Sequence, residues 1–122
     1  MPDRRIRVLV VDDQVPFLRA ARAVLGEASG FDLIAEATSG EAAVAAARDL
    51  EPDLVLMDVN MPGMGGIEAT RRIVAARPET IVVLLSSYED SPAAADGSGA
   101  AGYVPKGEFG RRVLEKFGQA RG

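Results

Sequence analysis

Leu54-Val55-Leu56-Met57-Asp58-Val59-Asn60-Met61-Pro62-Gly63-Met64-Gly65-Gly66 joins a short apolar run, an aspartate and a loop rich in glycine and proline. An apolar run without polar alternation, bounded by turn residues, reads as a strand buried on both faces. Such strands belong to parallel sheets covered by helices. The proline and glycines end the strand at once, so Asp58 stands at its carboxyl end.

The same arrangement recurs on either side. Val8-Leu9-Val10-Val11 leads into Asp12-Asp13, the run over residues 81–85 leads into Ser86-Ser87, and Tyr103-Val104-Pro105 leads into Lys106. In an open α/β sheet, ligands bind outside the carboxyl ends of the strands. The pattern therefore gathers Asp12, Asp13, Asp58, Ser86 and Lys106 into one crevice.

Between these runs the spacing predicts helices. Over residues 15–28 the apolar positions are Phe17, Ala20, Ala21, Val24 and Leu25, with Pro16 confined to the first turn. A strand is expected over 31–37. A helix follows over 40–50, capped by Ser39 and turning Ala43, Val44, Ala47 and Leu50 inward. A third helix is expected over 67–76 and a last one over 108–120, with Val113, Leu114 and Phe117 as its apolar stripe. Residues 90–101 are a weak crossover. Ser91, Pro92 and three alanines favour a helix there, Gly97 and Gly99 oppose it, and no large apolar residue docks it. A short or mobile fourth helix is expected. The helical stripes are read as packing, without functional content. The alternation βαβα implies a single α/β domain over 1–122, a parallel sheet with helices on both faces.

Composition narrows the chemistry. The chain has 122 residues, 48% hydrophobic and 26% charged, enough for one domain with a core. It has no cysteine and no histidine, which excludes disulfides, Cys/His zinc sites and Ser-His-Asp triads. A net charge of −4 argues against direct nucleic-acid contact. No stretch is long enough for a transmembrane helix and no signal peptide precedes the first strand, so no membrane contact and a cytoplasmic location are expected.

What remains is carboxylate, hydroxyl, amine and oxygen-bound metal. A carboxylate can attack a phosphoryl group once a cation relieves the repulsion between the anions. Mg²⁺, or Mn²⁺, takes oxygens from one or two carboxylates, waters and phosphate. Asp13 and Asp58 can supply the carboxylates, the Asn60 backbone carbonyl another ligand, and Asp12 can hold a coordinating water. Lys106 would pair with the phosphoryl group or, before it arrives, with Asp58. Ser86 can donate to a phosphoryl oxygen.

With these motifs in this order, the chain resembles the receiver domain of two-component response regulators. The matching pieces are residues 8–13, 56–66, Ser86-Ser87 and Gly102-Tyr103-Val104-Pro105-Lys106. The Leu85-Ser86-Ser87-Tyr88 stretch is most similar to receivers that precede a helix-turn-helix DNA-binding domain. The resemblance implies a flavodoxin-like three-layer sandwich with strand order 2-1-3-4-5. It implies Asp58 as phosphoacceptor, with Mg²⁺ on Asp13, Asp58 and the Asn60 carbonyl and Asp12 in the outer shell. Lys106 and Ser86 would bind the phosphoryl group. Ser86 and Tyr103 would be the switch pair, and Asn60 and Tyr88 would tune phosphoryl lifetime. Its partners would be a sensor histidine kinase and an attached DNA-binding domain; a homodimer is left open.

The chain departs from the family in a shortened stretch from Ser86 to Lys106, and in Gly107 where many members have proline. Such a domain assists its own phosphorylation and dephosphorylation without being a conventional enzyme. Two other readings are an aspartate-nucleophile phosphatase of the haloacid dehalogenase type and a phosphorylation-independent docking module. The first wants a second acid where Asn60 stands, and room for a cap domain.

Overall fold

The computed structural model describes residues 5–87 and 92–120. The elements run β1 (Ile6–Val11), α1 (Val15–Glu27), β2 (Phe31–Ala37), α2 (Gly40–Leu50), β3 (Leu54–Asp58), α3 (Gly66–Ala76), β4 (Ile81–Ser86), β5 (Gly102–Pro105) and α4 (Arg111–Ala120). Short 3₁₀ turns occupy Pro92–Ala95 and Lys106–Glu108. The strands form one parallel sheet in the order β2-β1-β3-β4-β5.

Strand alternation divides the core. Val8, Val10, Leu54, Leu56, Val83 and Leu85 point to one face, where they meet Leu18, Ala21 and Leu25 of α1 and Leu114 and Phe117 of α4. Leu9, Val11, Val55, Met57, Val82 and Leu84 point to the other, against Ala43 and Ala47 of α2 and Ala69 and Ile73 of α3. Both faces being covered is why these strands carry no polar alternation. Removing a side chain such as Leu56 from water is worth roughly 1.5–3 kcal/mol, and its equivalents recur along β1, β3 and β4.

Two helix stripes differ from expectation. In α1 the buried positions are Leu18, Ala21 and Leu25, while Ala20 is exposed. Positions i, i+3 and i+7 face the sheet directly, and this places Phe17 and Val24 at the edges of the stripe. In α2, Ala43 and Ala47 are buried but Leu50 is 38% exposed. Leu50 is the last residue of the helix, with no following turn beside it.

Caps behave as their chemistry requires. Ser39 accepts the Ala42 N–H at 3.0 Å. α2 ends at Glu51 in the left-handed region, φ 51°, because Pro52 excludes the helical conformation from the residue before it. The Arg7 guanidinium donates to the Glu51 carbonyl at 2.9 Å and steadies this conformation.

Among the described residues of the crossover between β4 and β5, a 3₁₀ turn at Pro92–Ala95 stands where a short helix was expected. Gly97 and Gly99 adopt φ of 76° and 91°, which ends the turn, and Ser98 closes it by accepting the Ala100 N–H at 3.2 Å. The last helix begins at Arg111 and not at 108, because Lys106–Glu108 forms its own 3₁₀ turn first. Among the described residues no helix is long and apolar enough to cross a membrane.

Candidate functional site

β1 and β3 are neighbours with Val11 opposite Met57. The residues just past them, Asp12 and Asp58, therefore reach the same end of the sheet. β3 and β4 pair Asp58 with Leu85, and β4 pairs Ser86 with Pro105, one residue before Lys106. The strand-end residues expected to converge do so.

The crevice is built around two buried carboxylates and one ammonium. Lys106 Nζ lies 2.6 Å from Asp12 Oδ2 and 3.4 Å from Asp58 Oδ1. The expected partner of the lysine was Asp58, and its nearer one is Asp12. Asp12 Oδ1 accepts the Gln14 N–H at 2.8 Å, so this residue also shapes the turn into α1. Asp58 Oδ1 accepts the Asn60 N–H at 3.2 Å. Asp58 Oδ2 takes no partner among the described residues, and it is the carboxylate oxygen left for chemistry.

The loop after Asp58 is held close to it. Gly66 opens α3, its N–H donates to the Val59 carbonyl at 3.0 Å, and a methyl group there would run into the Asp58 carbonyl. Gly63 takes φ 73°, and Met64 N–H donates to Glu41 Oε2 at 3.2 Å, tying the loop to the start of α2.

Electrostatics mark the same residues. Burial, and then the neighbouring Asp12 charge, push the Asp58 carboxyl up to about 6; Lys106 and the Asn60 N–H offset this only in part. Burial alone would lower Lys106, but its bond to Asp12 and the two carboxylate charges outweigh that and raise it. The lysine stays charged, and Asp58 is the strained member.

A carboxyl whose folded pKa lies above its unfolded value loses stability as pH rises through the interval between them. Here that interval runs from 3.8 to about 6. Asp58→Asn is therefore expected to stabilise the domain at pH 7.5, without divalent cations, by at most about 2 kcal/mol after solvent screening at the crevice mouth. Thermal melts against pH check this: the gain should shrink toward pH 4, and a destabilised variant at pH 7.5 would contradict it.

Asp12, Asp13 and Asp58 bring carboxylate oxygens within 4.8 Å of one another, with Asp13 on the exposed side. Three hard oxygen donors facing one ammonium suit Mg²⁺ or Mn²⁺. The uncompensated charge felt by Asp58 is what a divalent cation would relieve.

The remaining expected residues are placed as follows. Ser86 is buried at the end of β4, while Ser87 is exposed and its Oγ accepts from Asn60 Nδ2 at 3.4 Å. Tyr103 is half-buried and packs against the core on the α2 and α3 face of the sheet, and its hydroxyl is buried with no hydrogen-bond partner among the described residues. Tyr88 lies outside the described residues.

Sequence reasoning assigned Phe17 to packing alone. Its ring centroid is 5.0 Å from Lys106 Nζ and 5.8 Å from the ring of Phe109. No sequence signal joins Phe17 to Lys106; only the fold brings α1 beside the loop after β5.

Comparison with known proteins gives one answer. The response regulator receiver domain family matches over residues 8–117. Response regulator GacA of Pseudomonas viridiflava is 43% identical over 104 residues, covering 84% of this chain and 49% of that protein. Response regulator UvrY of Escherichia coli (strain K12) is 38% identical over 111 residues, 89% of this chain and 51% of that protein. The signal receiver domain of the response regulator NarL from Mycobacterium tuberculosis superposes with a TM-score of 0.86 at 29% identity, over 97% of each chain. The chain spans about half the length of the curated relatives it matches.

Proposed function

The chain belongs to the response regulator receiver domain family of two-component signalling, and from that premise we propose that Asp58 accepts a phosphoryl group from a sensor histidine kinase. The observation that carries this is Lys106 reaching Asp12 and Asp58 at once, 2.6 Å and 3.4 Å away, while Asp58 Oδ2 takes no hydrogen bond among the described residues.

In the reaction, Asp58 Oδ2 attacks the phosphorus of a phosphohistidine. A P–O bond forms as the P–N bond breaks, and the imidazole leaves with its electron pair. Oδ1 is held by the Asn60 N–H, which orients the carboxylate. Lys106 shifts from Asp12 toward the new phosphoryl oxygens and partly neutralises them. Mg²⁺, held by Asp13, Asp58 and the Asn60 carbonyl with Asp12 behind, would supply the remaining positive charge. Asn60 and Tyr88, the latter outside the described residues, are the positions proposed to tune the lifetime of the acyl phosphate. The domain thus assists its own phosphorylation and dephosphorylation without turning over a separate substrate.

The added charge, about −1.5 to −2, draws Lys106 and Ser86 inward. Tyr103, whose buried hydroxyl has no partner among the described residues, answers by changing its position, and the face formed by the 92–95 turn, β5 and α4 changes its affinity for a partner. That partner is a DNA-binding domain attached beyond this chain, or a second copy of it, in a cytoplasmic regulator of transcription.

Mg²⁺ should raise the melting temperature saturably. At ten times Kd the gain is about 1.4 kcal/mol, and Asp13→Ala should abolish it. Thermal melts with added Mg²⁺ or a chelator give the readout. A melting temperature indifferent to Mg²⁺ would favour a phosphorylation-independent docking module.

A further inference from the structure

We infer that Phe17 is a positioning residue for phosphoryl transfer, its ring holding the Lys106 ammonium over the carboxylates with Phe109 as backing. The inference rests on the phosphoacceptor reading above and adds a residue that acts through Lys106.

The ammonium touches two unlike surfaces. It lies 2.6 Å from Asp12 Oδ2 and 3.4 Å from Asp58 Oδ1, and over the Phe17 ring, 5.0 Å from its centroid. A cation within about 6 Å of a ring face is attracted by the ring's quadrupole. Phe109 tilts at 52° against Phe17, with centroids 5.8 Å apart, a spacing typical of edge-to-face pairs.

Both rings are fixed to the residues they serve. Asp12 Oδ1 accepts from Gln14 N–H, and the Gln14 carbonyl accepts from Phe17 N–H at 3.1 Å. The Phe109 N–H donates to the Lys106 carbonyl at 3.2 Å. One hydrogen-bonded turn thus carries Phe17 from Asp12, and another carries Phe109 from Lys106. Lys106 carries its charge at the end of a long flexible side chain, and a ring face adds a restraint beside its two ion pairs.

A ring face suits the task because its attraction has little directionality in its own plane. Lys106 can exchange Asp12 for phosphoryl oxygens without leaving the ring. A hydrogen-bonding partner in the same place would compete with that exchange.

The test labels the chain with acetyl phosphate and Mg²⁺ and measures the initial rate. Phe17→Leu should label about two- to fivefold more slowly, and Phe17→Tyr, which keeps the ring, should restore the rate. Phe17→Met gives the same reading if the leucine variant melts early. In a Lys106→Ala background, Phe17→Leu should have no further effect, because its influence passes through the ammonium. Wild-type labelling by Phe17→Leu, or an equal slowing in both backgrounds, would overturn the inference. If the wild-type chain takes no label, the phosphoacceptor reading itself fails.

Discussion

Asp58→Asn is expected to reduce labelling by acetyl phosphate or a phosphorylated kinase to background. The carboxamide keeps the shape and can still accept the Asn60 N–H that Asp58 Oδ1 accepts at 3.2 Å. It has no anionic oxygen with which to attack phosphorus, so the loss is chemical and not architectural. The expected neutral-pH stability gain of this variant separates the two causes: a protein that melts higher and takes no label has lost a nucleophile, not its fold. Asp32→Asn is a matched control. Asp32 lies at the start of β2, paired with Arg5 at 2.7 Å, and its removal should leave labelling unchanged. Full labelling of Asp58→Asn would move the phosphoacceptor elsewhere.

Gly66→Ala should destabilise the domain more than any other change proposed for it. The new methyl group would overlap the Asp58 carbonyl and press on the Met57 side chain, both in fully buried β3. Asp58 is opposite Leu85 in the sheet and Met57 opposite Leu84, so the backbone cannot yield without opening the ladder. The cost is expected at the top of the overpacking range, about 3 kcal/mol, which for a domain of this size lowers Tm by about 10 °C. Displaced by the same clash, Asp58 should also label poorly. Gly26→Ala is the contrast: it lies inside α1 with open space around it, and should gain up to about 1 kcal/mol from helix propensity. A melting temperature for Gly66→Ala equal to wild type would show that the α3 start is looser than described.

The fold was legible wherever burial is symmetric. β1, β3 and β4 are covered on both faces, so their sequences are unbroken apolar runs and their ends are sharply marked by Asp12, Asp58 and Ser86. The order of the chemical residues along the chain then located the crevice. Legibility failed where geometry depends on a degree of rotation or on the third dimension. Ala20 and Leu18 differ by two residues, and alanine is a weak marker of facing, so the α1 stripe was read slightly rotated. Leu50 follows helical spacing yet ends its helix. Lys106 was assigned to Asp58 because phosphoryl chemistry pairs them, but Asp12 is fully buried and offers the closer oxygen. Phe17 carries no mark of its site at all, since its neighbour Lys106 is eighty-nine positions away in the chain. In the crossover after β4, the two glycines read as opposing a helix take positive φ just past a 3₁₀ turn, among the described residues.

Site mapping of the phosphoryl group tests the central claim most directly. An acyl phosphate is reduced by borohydride to an alcohol, which would leave homoserine where an aspartate had carried phosphate. After Mg²⁺-dependent labelling, reduction and peptide mass spectrometry, homoserine should appear at position 58 and nowhere else. Homoserine at position 12 or 13, or an unmodified 58 in a labelled protein, would contradict the account.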